Sequence, residues 1–394
     1  MRSSFARSGL LTAGLCAAVA LSTPALAQDK IKVGLILTLS GPAAALGQQA
    51  RAAFEMALKD LGGKLGGREV ELVVADDELK PDVAVTKVKG LIDRDKVDVV
   101  VGPTFSNILG AIAKPVTDAK VFLISPNAGP SPLAGKGCSP FFFATSYQND
   151  QVHQVSGKVA QSRGYKTLYL LAPNYQAGKD AIAGVKRDYK GQIVEESYVP
   201  LNTLDFQSEL AKIAAAKPDA VFTFMPGGMG VNLIKQYKQA GLADRIPLLS
   251  SFTVDESTLP AQGDAALGMF AGSNWAPDLD NPQNKAFVAA YVAQQKAVPA
   301  TYAFQAYDAA LLLDGALKAT GGKTDDKEAL RAAFLKADFT SLRGAFKFSR
   351  NGFPVQDFYL TKVGKRPDGK LETQIVEKVF SDYVDSYLPE CSIK

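Results

Sequence analysis

Residues 97–131 read VDVVVGPTFSNILGAIAKPVTDAKVFLISPNAGPS. The run 97–101 is short, apolar and β-branched, as a buried parallel strand requires, and Gly102-Pro103-Thr104 ends it. Apolar residues recur at helical spacing from about Ser106; a second apolar run follows at 121–125, then a loop at 126–131 rich in Pro, Gly and Asn. Strand, helix and strand make a βαβ unit, whose two loops emerge at the carboxyl ends of adjacent parallel strands. That edge is where open α/β sheets bind ligands. Ser106, at the expected helix start, sets a hydroxyl beside unpaired N–H groups and the positive end of the helix dipole. It therefore either caps the helix or helps to hold an anion.

Upstream, 31–39 (IKVGLILTL) reads as a buried central strand, 43–61 as a helix stopped by Gly62-Gly63, 69–75 as a strand and 82–95 as a helix. Downstream, after 141–145, the polar run 146–150 reads as a first hinge. From 165 the alternation restarts, with strands at 167–172, 193–199, 220–224 and 246–250 and helices at 179–188, 205–215 and before Gly241. Residues 225–230 read as a loop. The stretch 267–275 looks like a strand returning toward the first half, 277–282 a second crossing, and 284–297 and 302–319 amphipathic helices. Residues 346–363 form a hairpin-like pair crossing back, and 365–370 a basic turn at an exposed tip. Two successive halves of similar order imply an α/β fold of two doubly wound parallel-sheet lobes joined by a multi-strand hinge. The expected bodies are 28–147 with 276–345, and 148–275 with 346–385, followed by a tail at 386–394.

The first 27 residues read as a cleaved export signal: Arg2 and Arg7, an apolar stretch too short for a comfortable span, and Ala25-Leu26-Ala27 before the cut. Leu15 before Cys16 is the wrong residue for a lipid-anchored cysteine. With the two arginines removed, 44 basic residues fall to 42 against 40 acidic ones, a balance that gives no handle on nucleic acid or anionic membranes. Cys138 and Cys391 remain, in a compartment that permits disulfides. They are either bridged, tying down the tail, or two buried thiols.

The chain has a single histidine, His153, so the usual zinc sets cannot assemble, and no G-x-S-x-G turn exists to partner it in a hydrolase triad. Asp76-Asp77 suggests a metal or acid–base site, but without further ligands a solvated strand-end loop is the simpler reading. Gly227-Gly228-Met229-Gly230 lacks the spacing of a dinucleotide loop and has no following G-K-[ST]. No cofactor and no enzymatic constellation is expected.

These features together resemble the type I periplasmic solute-binding proteins of ABC importers, in particular the branched-chain amino acid (Leu/Ile/Val) binding family. The resemblance is carried by IKVGLILTLSGP at 31–42, ALGQQARAAFEMAL, VVVGPTFSNILGAIAKPV, FLISPNAGPSPL and IKQYKQAGL. It implies an extracytoplasmic receptor, monomeric, that closes on a small carboxylate and presents it to an inner-membrane permease. It also implies a carboxylate clamp at Ser106 and the segment Asn127, Ala128 and Gly129, with Phe105 alongside. Opposite walls would come from the second lobe at Tyr175, Pro226 and Phe252. Two positions depart from the family. A threonine beside the ligand's amino group falls on Gly129, and the acidic partner of the ammonium falls near Phe252, with Asp255 and Glu256 just beyond. Loss of the ammonium clamp favours an aromatic or other non-amino acid, the alternative being a branched-chain or neutral amino acid whose ammonium meets Asp255 or Glu256.

Overall fold

The computed structural model describes Met1 and residues 29–394; from residue 2 onward, the export segment expected at 1–27 lies outside the described residues. The apolar run near the start forms β1 (Ile31–Leu37), buried at all but one position. Each such Ile, Val or Leu contributes about 1.5–3 kcal/mol by leaving water, so β1 anchors the centre of its sheet. The first sheet is six-stranded, in the order β2-β3-β1-β4-β5-β6, where β2 is Lys64–Leu65, β3 Arg68–Asp76, β4 Val99–Val101, β5 Phe122–Ser125 and β6 Phe142–Ala144. All neighbours run parallel except the short β2–β3 pair. Val33 of β1 faces Leu72 on one side and Val99 on the other. The chain steps from β1 to β3 and then back across to β4, so the crevice between β1 and β4 is the switch point of this sheet. Helices α1 (Ala44–Asp60), α2 (Pro81–Asp93), α3 (Ser106–Asp118) and the single turn α4 (Ser131–Ala134) connect these strands.

The second lobe opens with α5 (Asn149–Ser162) and repeats the pattern: β7 (Thr167–Pro173), α6 (Gln176–Asp188), β8 (Gln192–Val199), α7 (Gln207–Ala216), β9 (Ala220–Thr223), α8 (Gly228–Gln239), β10 (Leu248–Ser250), α9 (Leu259–Gln262) and β11 (Phe270–Ser273). Its parallel part has the order β8-β7-β9-β10-β11, with the switch between β7 and β9. The segment expected as a loop at 225–230 is already helical from Gly228.

The chain then returns to the first lobe as α10 (Pro282–Gln295), α11 (Thr301–Ala319) and α12 (Lys327–Lys336). Helix α11 lies along α1, fastened by Tyr307 Oη to Asp60 (2.9 Å) and by the Ala300 N–H to Gln49 (2.7 Å). It goes back once more as β12 (Lys347–Phe348), β13 (Pro354–Lys365) and β14 (Leu371–Tyr383), with β13 antiparallel to both β11 and β14. The second sheet is thus mixed, closed by antiparallel strands. Strand β14 escapes a pattern reading because LETQIVEKVFSDY does not alternate cleanly; register shifts along β13–β14 move its side chains off a strict two-residue period.

The crossings between lobes meet at one acceptor. The Ser146 carbonyl receives hydrogen bonds from Asn274 Nδ2 (3.2 Å) in the second crossing, and from Gln356 Nε2 (2.7 Å) and Arg343 Nη1 (3.3 Å) in the third. Arg343 is itself buried against Asp308 of α11 at 3.2 Å. Among the described residues, no helix is long and apolar enough to cross a membrane.

A disulfide joins Cys138 to Cys391, with Cα atoms 5.7 Å apart and a sequence separation of 253, pinning the tail to the loop after α4. Closing so long a loop restricts the unfolded chain, so Cys391→Ser is expected to lower the unfolding free energy by about 2–5 kcal/mol in urea titrations under non-reducing conditions. A midpoint unchanged from the parent protein would contradict this.

Candidate functional site

The two switch points face each other, and between them lies a small cavity of about 20 Å³. On the first-lobe side, Gly102 makes the turn out of β4 at φ +135°, where a Cβ would stand 2.0 Å from the Ile36 carbonyl oxygen. Only glycine permits that approach. The turn delivers Thr104, Phe105 and Ser106 to the cavity wall. Phe105, not Ser106, is the N-cap of α3, and no side chain caps the helix. The capping alternative for Ser106 is therefore corrected: it is the first helical residue, and the first-turn N–H groups have no partner within the helix. They and the positive end of the helix dipole favour an anion. Ser106 Oγ accepts from Asn149 Nδ2 (3.1 Å), which leaves its own proton to be donated.

Asn127 and Ala128 also line the cavity. Asn127 is fixed at both ends of its amide, donating to the Thr104 carbonyl (2.6 Å) and accepting from Tyr147 Oη (3.2 Å). Gly129 stands apart from the wall. Its N–H donates to Asn149 Oδ1 (3.0 Å), its carbonyl accepts the Asn149 N–H (2.7 Å), and a Cβ there would lie 1.9 Å from the Tyr147 carbonyl oxygen. The assignment of Gly129 as a ligand contact is corrected on this ground: its polar groups are spent, and no threonine fits.

The second lobe contributes Tyr175 before α6, Phe224 and Pro226 after β9, and Phe252 after β10. Phe252 sits at φ +55°, a conformation that costs a bulky residue on the order of 1–2 kcal/mol and aims its ring inward. The rings interlock: Tyr147 stacks on Phe252 (5.2 Å), Tyr175 stacks on Phe224 (6.2 Å), and Phe105 meets Tyr175 across the lobes (6.3 Å). Tyr302, from the start of α11, lies 6.1 Å from Phe252. Among the described residues, no aspartate, glutamate, lysine or arginine lines the cavity. Asp255 and Glu256 are both buried outside it. Asp255 accepts the Ser257 N–H (2.8 Å), and Glu256 accepts both the N–H and hydroxyl of Thr373 (2.7 Å each). Burial raises the phenols of Tyr147, Tyr175 and Tyr302, so all three are neutral donors.

His153 has left the catalytic question and entered the wall. It projects from α5, is 1% exposed, and packs edge-on to Phe224 (5.0 Å). Burial depresses its pKa from 6.5 to about 3, so the imidazole is neutral, and its Nδ1 has no hydrogen-bond partner.

The lobes are latched beside the cavity. Asp180 of α6 accepts the Ser131 N–H (3.1 Å) and hydroxyl (2.7 Å) from the first lobe, together with Asn149 Nδ2 (2.8 Å) and Gln176 Nε2 (2.8 Å). The Gly228 N–H also reaches the Pro42 carbonyl (3.3 Å) across the gap.

Sequence reasoning missed Tyr147 and Asn149, which were read only as hinge, and His153, considered only as a catalyst. Phe224 was reachable from its place at a strand end. Tyr302 had no local signal, since it arrives from 120 residues or more beyond the other walls of the first lobe. Asp76 and Asp77 are not a solvated loop: Asp77 is buried, accepting from Thr38 (2.7 Å) and the Leu79 N–H (2.8 Å), and Asp76 accepts the Leu39 N–H (2.9 Å). They pin the loops after β1 and β3. Among the described residues no cluster has the makings of a metal site.

A family described as periplasmic binding protein matches residues 30–370. A Leu/Ile/Val-binding protein homolog of Brucella melitensis is 30% identical over 378 residues, covering 92% of this chain and 95% of that protein. Among solved structures, a solute-binding protein of an ABC transporter from R. palustris in complex with benzoate is 34% identical with a TM-score of 0.88, covering 93% of this chain and all of that one. Another, from Rhodopseudomonas palustris BisB5 in complex with 3,4-dihydroxybenzoic acid, is 33% identical with a TM-score of 0.84, covering 91% and 99%.

Two outcomes follow from the geometry. Asp180→Ala leaves four donors without their acceptor in the closed form, a loss of about 1–3 kcal/mol relative to an open one, so small-angle scattering should report a larger radius of gyration than for the parent protein. For His153, the unfolded imidazole binds a proton below about pH 6.5 while the folded one does so only near 3. The unfolded state holds more protons in that window, so this contribution to stability is complete above pH 6.5 and is lost as pH falls. Between pH 7 and pH 4 the parent protein should lose on the order of 3 kcal/mol more unfolding free energy than His153→Phe, measured by urea titration.

Proposed function

The chain belongs to the periplasmic binding protein family, as a substrate-binding protein of an ABC transporter, and we propose that its ligand is a small aromatic carboxylate. One observation carries the reading: among the described residues, the cavity between the lobes is lined by anion-directed neutral donors and aromatic rings, and by no acidic side chain. The carboxylate sits at the uncapped start of α3, receiving the Ser106 hydroxyl and first-turn N–H groups, and the ring lies between Phe105, Tyr175, Phe224 and Phe252. An α-amino acid in the same place buries an ammonium without a counter-charge, which costs several kcal/mol. A benzoate-type acid meets no such penalty and gains about 0.5–1.5 kcal/mol per well-placed aromatic pair beyond burial. The solved relatives with benzoate and 3,4-dihydroxybenzoic acid support this choice.

The mechanism is capture without bond making. The ligand enters an open cleft and docks its carboxylate on the first lobe; closure then brings Tyr175, Pro226 and Phe252 over the ring, and the Asp180 latch holds the shut form. The moving bodies are 28–147 with 276–345, and 148–275 with 346–385. The protein acts as a monomer outside the cytoplasm and hands its cargo to the inner-membrane permease, which reads the closed shape.

A second reading, a branched-chain amino acid, is favoured by the name of the Brucella relative and by one feature of the structure: Asp255 Oδ2 is buried without a partner one layer behind the wall. Titration calorimetry of the purified protein against benzoate, cinnamate, leucine, isoleucine and valine separates the two. Aromatic acids should bind and leucine should give no heat, and Ser106→Ala should weaken the aromatic acid by about 10–100-fold, the worth of a hydrogen bond to a charged group. Tight leucine binding, abolished by Asp255→Asn, would replace this reading with the second.

A further inference from the structure

We infer that His153 reads a hydroxyl group on the ring of the ligand, so that the cavity selects hydroxylated aromatic acids over the unsubstituted ones. The inference rests on the aromatic-carboxylate reading and deepens it. His153 and Asn149 stand one turn apart on α5, at i and i+4, and so share a helix face, about 5–6 Å from each other. Both line the cavity. Asn149 touches Ser106 Oγ at 3.1 Å and so marks the carboxylate end. His153 stands further along, where the far edge of a ring bound at Ser106 arrives.

The aromatic neighbours of the imidazole are all phenylalanines. The imidazole lies among Phe222 (5.8 Å), Phe224 (5.0 Å) and Phe252 (6.3 Å), is 1% exposed, and its Nδ1 meets no protein donor or acceptor. Buried polar atoms in folded proteins are nearly always paired, so an imidazole that lines the cavity with no protein partner points to one on the ligand. The chemistry of that partner is constrained. A neutral imidazole offers one donor and one acceptor, and a phenolic hydroxyl can both donate and accept, so it pairs with whichever nitrogen faces it. A second carboxylate would bring a charge into a wall of phenylalanines with no cation to meet it. An unsubstituted ring leaves the imidazole unpaired, and sites built to pair a hydroxyl reject the analogue that lacks it.

The chain's single histidine makes the test clean, because labelling tag-free protein with ring-15N histidine yields only the two ring nitrogens of His153. The probes are benzoate, 3-hydroxybenzoate and 4-hydroxybenzoate, each followed by titration calorimetry and by the imidazole 15N resonances. At least one hydroxybenzoate should bind about tenfold or more tighter than benzoate. That same acid should move an imidazole nitrogen toward hydrogen-bonded values while benzoate does not. In His153→Phe the ratio of the two affinities should collapse toward one, a comparison made within one variant and so independent of its stability. Equal binding of benzoate and both hydroxybenzoates by the parent protein overturns the inference and leaves the aromatic-acid reading standing. So does a ratio that survives in His153→Phe. Binding of leucine with no response to any of the three acids overturns both.

Discussion

Asn149 is the side chain on which the closed form depends. Its amide nitrogen donates to Ser106 Oγ and to Asp180 Oδ2, its amide oxygen accepts the Gly129 N–H, and its backbone N–H returns to the Gly129 carbonyl. One residue thereby joins the anion-directed start of α3, the loop after β5 and the second-lobe helix α6, and it does so as the first residue of α5, just past the first crossing. Ser106 is ready to donate because Asn149 occupies its acceptor side. The lobes stay shut because Asn149 and Ser131 share the same aspartate. Clamp and latch are one hydrogen-bonded unit, so a ligand that tightens the first stiffens the second.

The chemistry of the cavity follows from what is kept out of it. Its polar groups are hydroxyls, amides, backbone N–H groups and a neutral imidazole, and the nearby acids are engaged elsewhere: Asp180 in the latch, Glu256 with Thr373, and Asp255 with Ser257 through one of its two oxygens. Once water is expelled, electrostatic interactions strengthen, so neutral donors hold a single negative charge well while an unmatched positive charge is excluded. In the proposed reading, discrimination between a plain acid and an amino acid comes from the absence of a counter-charge as much as from any contact.

The hinge shows the complementary arrangement. There the Ser146 carbonyl collects donors from Asn274, Gln356 and Arg343, and Arg343 is neutralised by Asp308. A buried pair of this kind contributes little net stability but defines one geometry, since removing either partner strands a charge. The crossings converge on this point, apart from the cavity that the two sheet edges share.

The α/β class, the two successive halves and the βαβ unit at 97–131 were legible in the chain, because buried parallel strands and amphipathic helices impose their periods locally. So were Ser106, Asn127 and Ala128, which follow strand ends in the same unit, and Tyr175, Pro226 and Phe252, which follow strand ends in the second half. Strand β14 was not, because its bulged pairing erases the two-residue period. The role of Ser106 as an open helix start and not a cap depended on which residue takes the first helical conformation, a matter of one position that local preference cannot resolve. Gly129 leaves the wall because the Tyr147 carbonyl packs against it, and Tyr302 enters because α11 lies along α1; both are contacts between distant segments. His153 is the clearest case. Its sequence context argues only against catalysis, and its place among Phe222, Phe224 and Phe252 exists because α5 and the second sheet pack together. Sequence by itself determined most of the elements and the sheet edge at which the cavity lies, since those depend on neighbours along the chain. The tertiary structure alone decided which side chains meet at that edge and which of them carry charge, since burial and pairing are properties of contacts the chain order does not contain.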